Sequence, residues 1–191
     1  MKAPEILINH PLFDFISANL ERTGNYATEL SAEEIKKLID AITQQLLSMF
    51  KQYATVSKYS VETTIAPQKA LDNAVGGIIK ISVELNTIVG SASPRIVCNL
   101  INDPSNEWKL KWYEKPAVNP NTSPTVSVAL SGKGVNIRQE IERYFADPNS
   151  LLYGAILSQM KLRGIEIKGF GLNLTPNSKL KIALSGSKVA K

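Results

Sequence analysis

From Ser31 to about Ala54, apolar residues recur every three or four positions: Ile35, Leu38, Ile39, Ile42, Leu46, Met49, Phe50 and Tyr53. That spacing lays them along one stripe of a helix, with Glu33, Lys37, Asp40, Gln44 and Lys51 on the opposite face. Ser31 and Glu34 stand in the S-x-x-E relation of a capping box, which satisfies two orphan donors at the helix start. A shorter helix precedes it. Asn9 is its expected cap, Pro11 fits its first turn, and Gly24 ends it.

The period then changes from about 3.6 to two. In "GIIKISVEL", Ile79, Ile81, Val83 and Leu85 alternate with Lys80, Ser82 and Glu84, the pattern of a half-buried strand. "GSASP" (90–94) reads as a turn. "RIVCNLIN" (95–102) is apolar on both faces and fits a central strand. "DPSN" (103–106) is another turn. In "EWKLKWYEKP", Trp108, Leu110 and Trp112 fall on one face and Lys109, Lys111, Tyr113 and Lys115 on the other. Readers of single-stranded nucleic acid need rings and charges on one accessible surface. Here only Tyr113 shares the basic face, so the tryptophans are expected in the core. "PAVNPNTSP" (116–124) reads as a loop, and "TVSVAL" (125–130) as a strand with Val126, Val128 and Leu130 on one side.

Two helices are expected next. Asn136 caps the first, with Gln139 at its third position and Ile137, Ile141, Tyr144 and Phe145 inward. Ser150 opens the second, which turns Leu151, Leu152, Ala155, Ile156 and Met160 inward and stops at Gly164. The last segment changes phase: Ile165 and Ile167 are odd, whereas Phe170, Leu172 and Leu174 are even. A β-bulge near Gly169 restores a single buried face. Leu180, Ile182 and Leu184 are also even, so the hairpin should pair Leu174 with Leu180, Leu172 with Ile182 and Phe170 with Leu184. That register needs a loop with an odd number of residues. "SGSKVAK" is expected to fray.

The chain is therefore expected to be α+β. A mainly antiparallel sheet of about six or seven strands packs against the long N-terminal amphipathic helix, with two shorter helices before the C-terminal hairpin. A single domain spans residues 1–191, with 1–30 an N-terminal helix or arm, 31–187 the core and 188–191 a basic tail. At 191 residues the chain buries a core without staples.

Charge adds one feature. Residues 1–54 hold five Lys/Arg against seven Asp/Glu, a balance of −2, while the remainder carries +7. In 151–191 seven basic residues face one acid, Glu166. Lys168, Lys179, Lys181, Lys188 and Lys191 are the candidate basic face, suited to an acidic protein or nucleic acid. A second candidate is the stretch Ser131, Gly132, Lys133 and Gly134. As a strand-to-helix turn it would offer backbone N–H groups and a lysine to an anion.

Candidate chemistry is sparse. The single histidine, His10, and the single cysteine, Cys98, rule out zinc sites built from several His or Cys ligands and intrachain disulfides. The aspartates are scattered, and no G-x-G-x-x-G, Walker A or EF-hand pattern is present. No metal or cofactor is expected. No run approaches the roughly 18 apolar residues of a membrane span. Residues 1–21 read neither as a secretory signal nor as a transit peptide, so an intracellular, cytoplasmic protein is expected. Two functions follow. The first is a non-catalytic binding or assembly module, a subunit of a larger complex such as a virion or nucleoprotein, meeting a protein partner or itself. The alternative is a carrier holding a hydrophobic ligand or lipid between the long helix and the sheet.

Overall fold

A computed structural model describes residues 8–51, 54–65, 75–102, 112–144, 151–175 and 177–189. Within them the chain runs α1 (Pro11–Thr23), β1 (Asn25–Leu30), α2 (Ala32–Phe50), β2 (Thr55–Ile65), β3 (Val75–Thr87), β4 (Gly90–Ala92) and β5 (Arg95–Asn102). It continues through β6 (Trp112–Asn119), α3 (Pro124–Gly132), α4 (Ile137–Tyr144), α5 (Leu152–Leu162), β7 (Ile165–Leu174) and β8 (Leu180–Lys188).

Local signals fix most of the helix boundaries. At α2 the capping box is complete: Ser31 Oγ accepts the Glu34 N–H and Glu34 Oε1 accepts the Ser31 N–H, both at 3.2 Å. At α1 the cap is His10 rather than Asn9; His10 Nδ1 accepts the Leu12 N–H at 3.1 Å. Gly24 ends α1 at φ 77°, where its N–H bonds the Leu20 carbonyl at 2.9 Å. Asn136 Oδ1 accepts the Gln139 N–H at 3.0 Å and opens α4. Ser150 lies outside the described residues.

The sheet is not single. Among the described residues two antiparallel sheets form: β1-β8-β7, and β2-β3-β5-β6 with β4 also on β3. The long helix α2 is second in the chain and lies against strands of both sheets, β2 and β1. The N-terminal segment belongs to the fold. β1 pairs with β8 from Asn25↔Ser185 to Leu30↔Leu180, and Phe13, Ile16 and Leu20 of α1 are fully buried. Which strands share a sheet is decided by pairing between distant segments, and no periodicity along the chain encodes it.

Segment 125–130 is a helix, not a strand. Val126, Val128 and Leu130 alternate, but Val126 and Leu130 also stand four apart, and only those two are buried; Val128 is 73% exposed. Ser123 caps α3 by accepting the Val126 N–H, and Pro124 fills its first turn; this local helix-start signal settles the ambiguity. "GSASP" contains the short strand β4, and β6 takes in the first four residues of "PAVNPNTSP". β8 continues through Ser185–Lys188, beyond the expected start of the tail. The turn at 103–106 and Trp108 lie outside the described residues, as does the side chain of Trp112.

The C-terminal hairpin matches its sequence pattern. Register shifts between Ile167 and Gly169, and Phe170↔Leu184, Leu172↔Ile182 and Leu174↔Leu180 are opposed across a five-residue loop, 175–179. β5 lies between β3 and β6 with Ile96, Cys98 and Leu100 buried. Ile35, Leu38, Ile39, Ile42, Leu46 and Phe50 of the α2 stripe join Ile79, Ile81, Val83 and Leu85 in one continuous core that also includes Phe13, Phe170 and Ile182; the Met49 side chain and Tyr53 lie outside the described residues.

Candidate interaction surface

The sheet β1-β8-β7 has two unlike faces. Leu180, Ile182, Leu184, Phe170 and Leu172 point inward, where α1 and α5 pack. Outward, strand pairing sets small residues side by side: Ala27, Ala183 and Gly171 in one row, and Asn25, Ser185 and Gly169 in the next. Lys181 projects from the centre of this outer face between Glu29 and Asn173; Lys168 sits at the β7 bulge and Lys179 at the hairpin loop. All three lysines are exposed.

The fold also brings the acidic N-terminal segment against the basic C-terminal one. Glu29 stands directly opposite Lys181, Lys188 Nζ lies 3.9 Å from Glu21 Oε1, and Arg163 Nη2 lies 3.2 Å from Asp14 Oδ1. The charge asymmetry along the sequence is thus partly offset in space. Lys168 and Lys179 remain the cations of this face without an acid directly opposite or ion-paired among the described residues; Lys191 lies outside them.

The stretch Ser131, Gly132, Lys133 and Gly134 does not open a helix; it closes one. The Val135 N–H bonds the Leu130 carbonyl at 2.8 Å and the Gly134 N–H bonds the Ser131 carbonyl at 2.9 Å, with Gly134 at φ 73°. This is a Schellman motif, whose marks in sequence are the glycine and the apolar Val135 just after it. A helix C-terminus presents carbonyls and favours cations, so Lys133 sits where a positive charge is stabilised and an anion is not. Beside it, a cleft of about 400 Å³ opens between α3 and α4, lined by Ser127, Ser131, Asn136 and Arg138 among others.

A second cleft, about 450 Å³, runs between α2 and β2, with Lys36, Lys37 and Asp40 on one wall and Tyr59, Ser60 and Val61 on the other. Partial burial holds the Tyr59 phenol above its ordinary pKa; interaction with Gln44 opposes this and the neighbouring Asp40 adds to it. The sequence offered no sign of this cleft, because β2 and α2 are each unremarkable alone. Nor did it mark the β3–β4 turn, where Ile88 is 96% exposed.

The two residues best suited to catalysis are engaged elsewhere. His10 is the α1 cap, and its burial lowers its pKa. Cys98 is fully buried in β5. Among the described residues no group of three or more His, Cys, Asp or Glu could hold a metal ion, and no helix is long and apolar enough to cross a membrane. Set beside known protein families, curated proteins and solved structures, the chain matches none.

Proposed function

We propose that the protein is a non-catalytic binding module that joins a larger assembly through the outer face of β1-β8-β7. The observation that carries this reading is that face: rows of Gly, Ala, Ser and Asn, with Lys168 and Lys179 beside the Lys181 that faces Glu29. With no bulky side chain in those rows, a partner surface can approach closely, and the lysines select for acidity. The half-buried Tyr26 is paired with the buried Leu184, so it belongs to the inner side, and the rows named above lack the ring needed for base stacking. The partner on this reading is an acidic protein surface. Engagement of His10 in capping and of Cys98 in the core favours a role without catalysis.

The test is binding of labelled poly-glutamate, followed by fluorescence anisotropy, with a single-stranded oligonucleotide in parallel. The triple variant Lys168→Glu, Lys179→Glu, Lys181→Glu should lose poly-glutamate binding while keeping its melting temperature. Lys36→Glu with Lys37→Glu, on α2, should leave binding intact. Preference for the oligonucleotide, with a log–log salt slope of about −2 from three neutralised phosphates, would redirect the reading to nucleic acid. A wild type that ignores both polyanions would sink it.

A further inference from the structure

We propose that β2 is an acceptor strand, and that its occupant is β2 of a second copy of this chain. This stands apart from the basic face, which lies on the other sheet. β2 ends the order β2-β3-β5-β6, and its backbone pairs with β3 and with no other strand among the described residues. It has eleven residues and neither Pro nor Gly. Natural sheets blunt such edges with prolines, bulges, charges or short strands. The other edges have these devices: β1 has six residues, β6 contains Pro116 and lies beside β7, and β7 is bulged. On β2 the shift between Val56 and Lys58 blunts only the beginning; along Tyr59–Ile65 the backbone pairs with β3 alone among the described residues, while on the inner side Tyr59 interacts with Gln44 and Asp40 of α2 and Thr63 Oγ1 donates to the Ala32 carbonyl at 2.7 Å.

Charge identifies the occupant. When antiparallel strands join edge to edge around a two-fold axis, the inner faces stay on one side and residue i opposes j as j opposes i. Residues of like parity must meet, since a one-residue slip turns every side chain over. Centring the pair on Ser60, the midpoint of Thr55–Ile65, sets Lys58 against Glu62 of the second copy, twice, and Tyr59 against Val61 on the inner side. Registers centred on 58 or 62 would set Lys against Lys or Glu against Glu.

Within one chain Lys58 already opposes Glu84, with Nζ 3.4 Å from Oε1, and Glu62 opposes Lys80. In the joined sheet the row becomes Glu84, Lys58, then Glu62 and Lys80 of the second copy. The signs alternate without a break across four strands. Opposite charges facing each other stabilise a sheet and like charges destabilise it, so this register is the one selected.

Sedimentation equilibrium on the full chain tests the proposal. Wild type should sediment at twice the 20.9 kDa chain mass. Lys58→Glu and Glu62→Lys should each sediment at the single-chain mass, since each opposes like charges at the joint. Mixing the two variants in equal amounts should restore the doubled mass, because both crossed pairs are then opposite in sign. That rescue cannot come from variants that have merely failed to fold. A wild type at single-chain mass would overturn the proposal. So would single variants that remain dimeric, or a mixture that stays monomeric.

Discussion

His10 cannot keep its capping role in acid. Its Nδ1 is the acceptor that caps α1, and protonation would turn that acceptor into a donor. Its burial lowers the folded pKa below the ordinary 6.5. As pH falls the unfolded chain takes up the proton first, so it binds more protons than the folded state. The stability present above the ordinary histidine range is lost as pH drops through it toward the lowered folded value. No other histidine contributes to this window. Urea denaturation at about pH 8 and about pH 5 should show the loss. His10→Asn, which keeps a capping oxygen that does not titrate there, should flatten it. His10→Ala should cost about 0.5–2 kcal/mol at the higher pH, the usual range for a lost cap. An equal acid loss in His10→Asn would assign the effect to other groups.

Among the elements, α3 is where pattern and structure part, and a pair of substitutions measures why. Val126 is fully buried and Val128 is exposed, as only a helix places them. Val126→Ala should lower stability by up to about 1.5–3 kcal/mol, the worth of a buried valine. Val128→Ala should raise it by about 0.5 kcal/mol, because alanine is the better helix former at an exposed site. A strand would give two losses. The C-terminal hairpin is the opposite case. There the phase change at Gly169 called for the bulge, and the shared parity of Phe170, Leu172, Leu180 and Ile182 limited the hairpin to registers that keep them on one side; the five-residue loop takes the one that opposes Leu174 to Leu180.

At the scale of the molecule, residues 8–30 work as part of the core. Phe13, Ile16 and Leu20 are buried, and the Ile8 N–H donates to the buried Gln159 Oε1 at 3.0 Å. Arg163 joins the same corner: its Nη1 reaches the Gln159 carbonyl at 3.1 Å, and its guanidinium lies 5.9 Å from the centre of the Phe13 ring. Removing residues 1–30 would uncover the inner face of β8 and β7 and delete β1 from their sheet. The truncated chain should bind a hydrophobic dye and melt without a cooperative transition. A cooperative melt at the wild-type temperature would show that this segment is dispensable.

The sequence by itself determined whatever depends on neighbours a few residues apart. The Ser31–Glu34 box, the glycine stops of α1 and α5, the α2 stripe and the hairpin register all rest on contacts within a turn or between adjacent strands. Tertiary structure decided what depends on distant partners. It paired β1 with β8, split the strands into two sheets, and set Glu29 opposite Lys181. It left β2 at an edge beside α2. The physical reason is that burial is shared among segments far apart in the chain. An apolar residue is drawn inward by its own chemistry, but which strand or helix covers it is chosen by the whole fold.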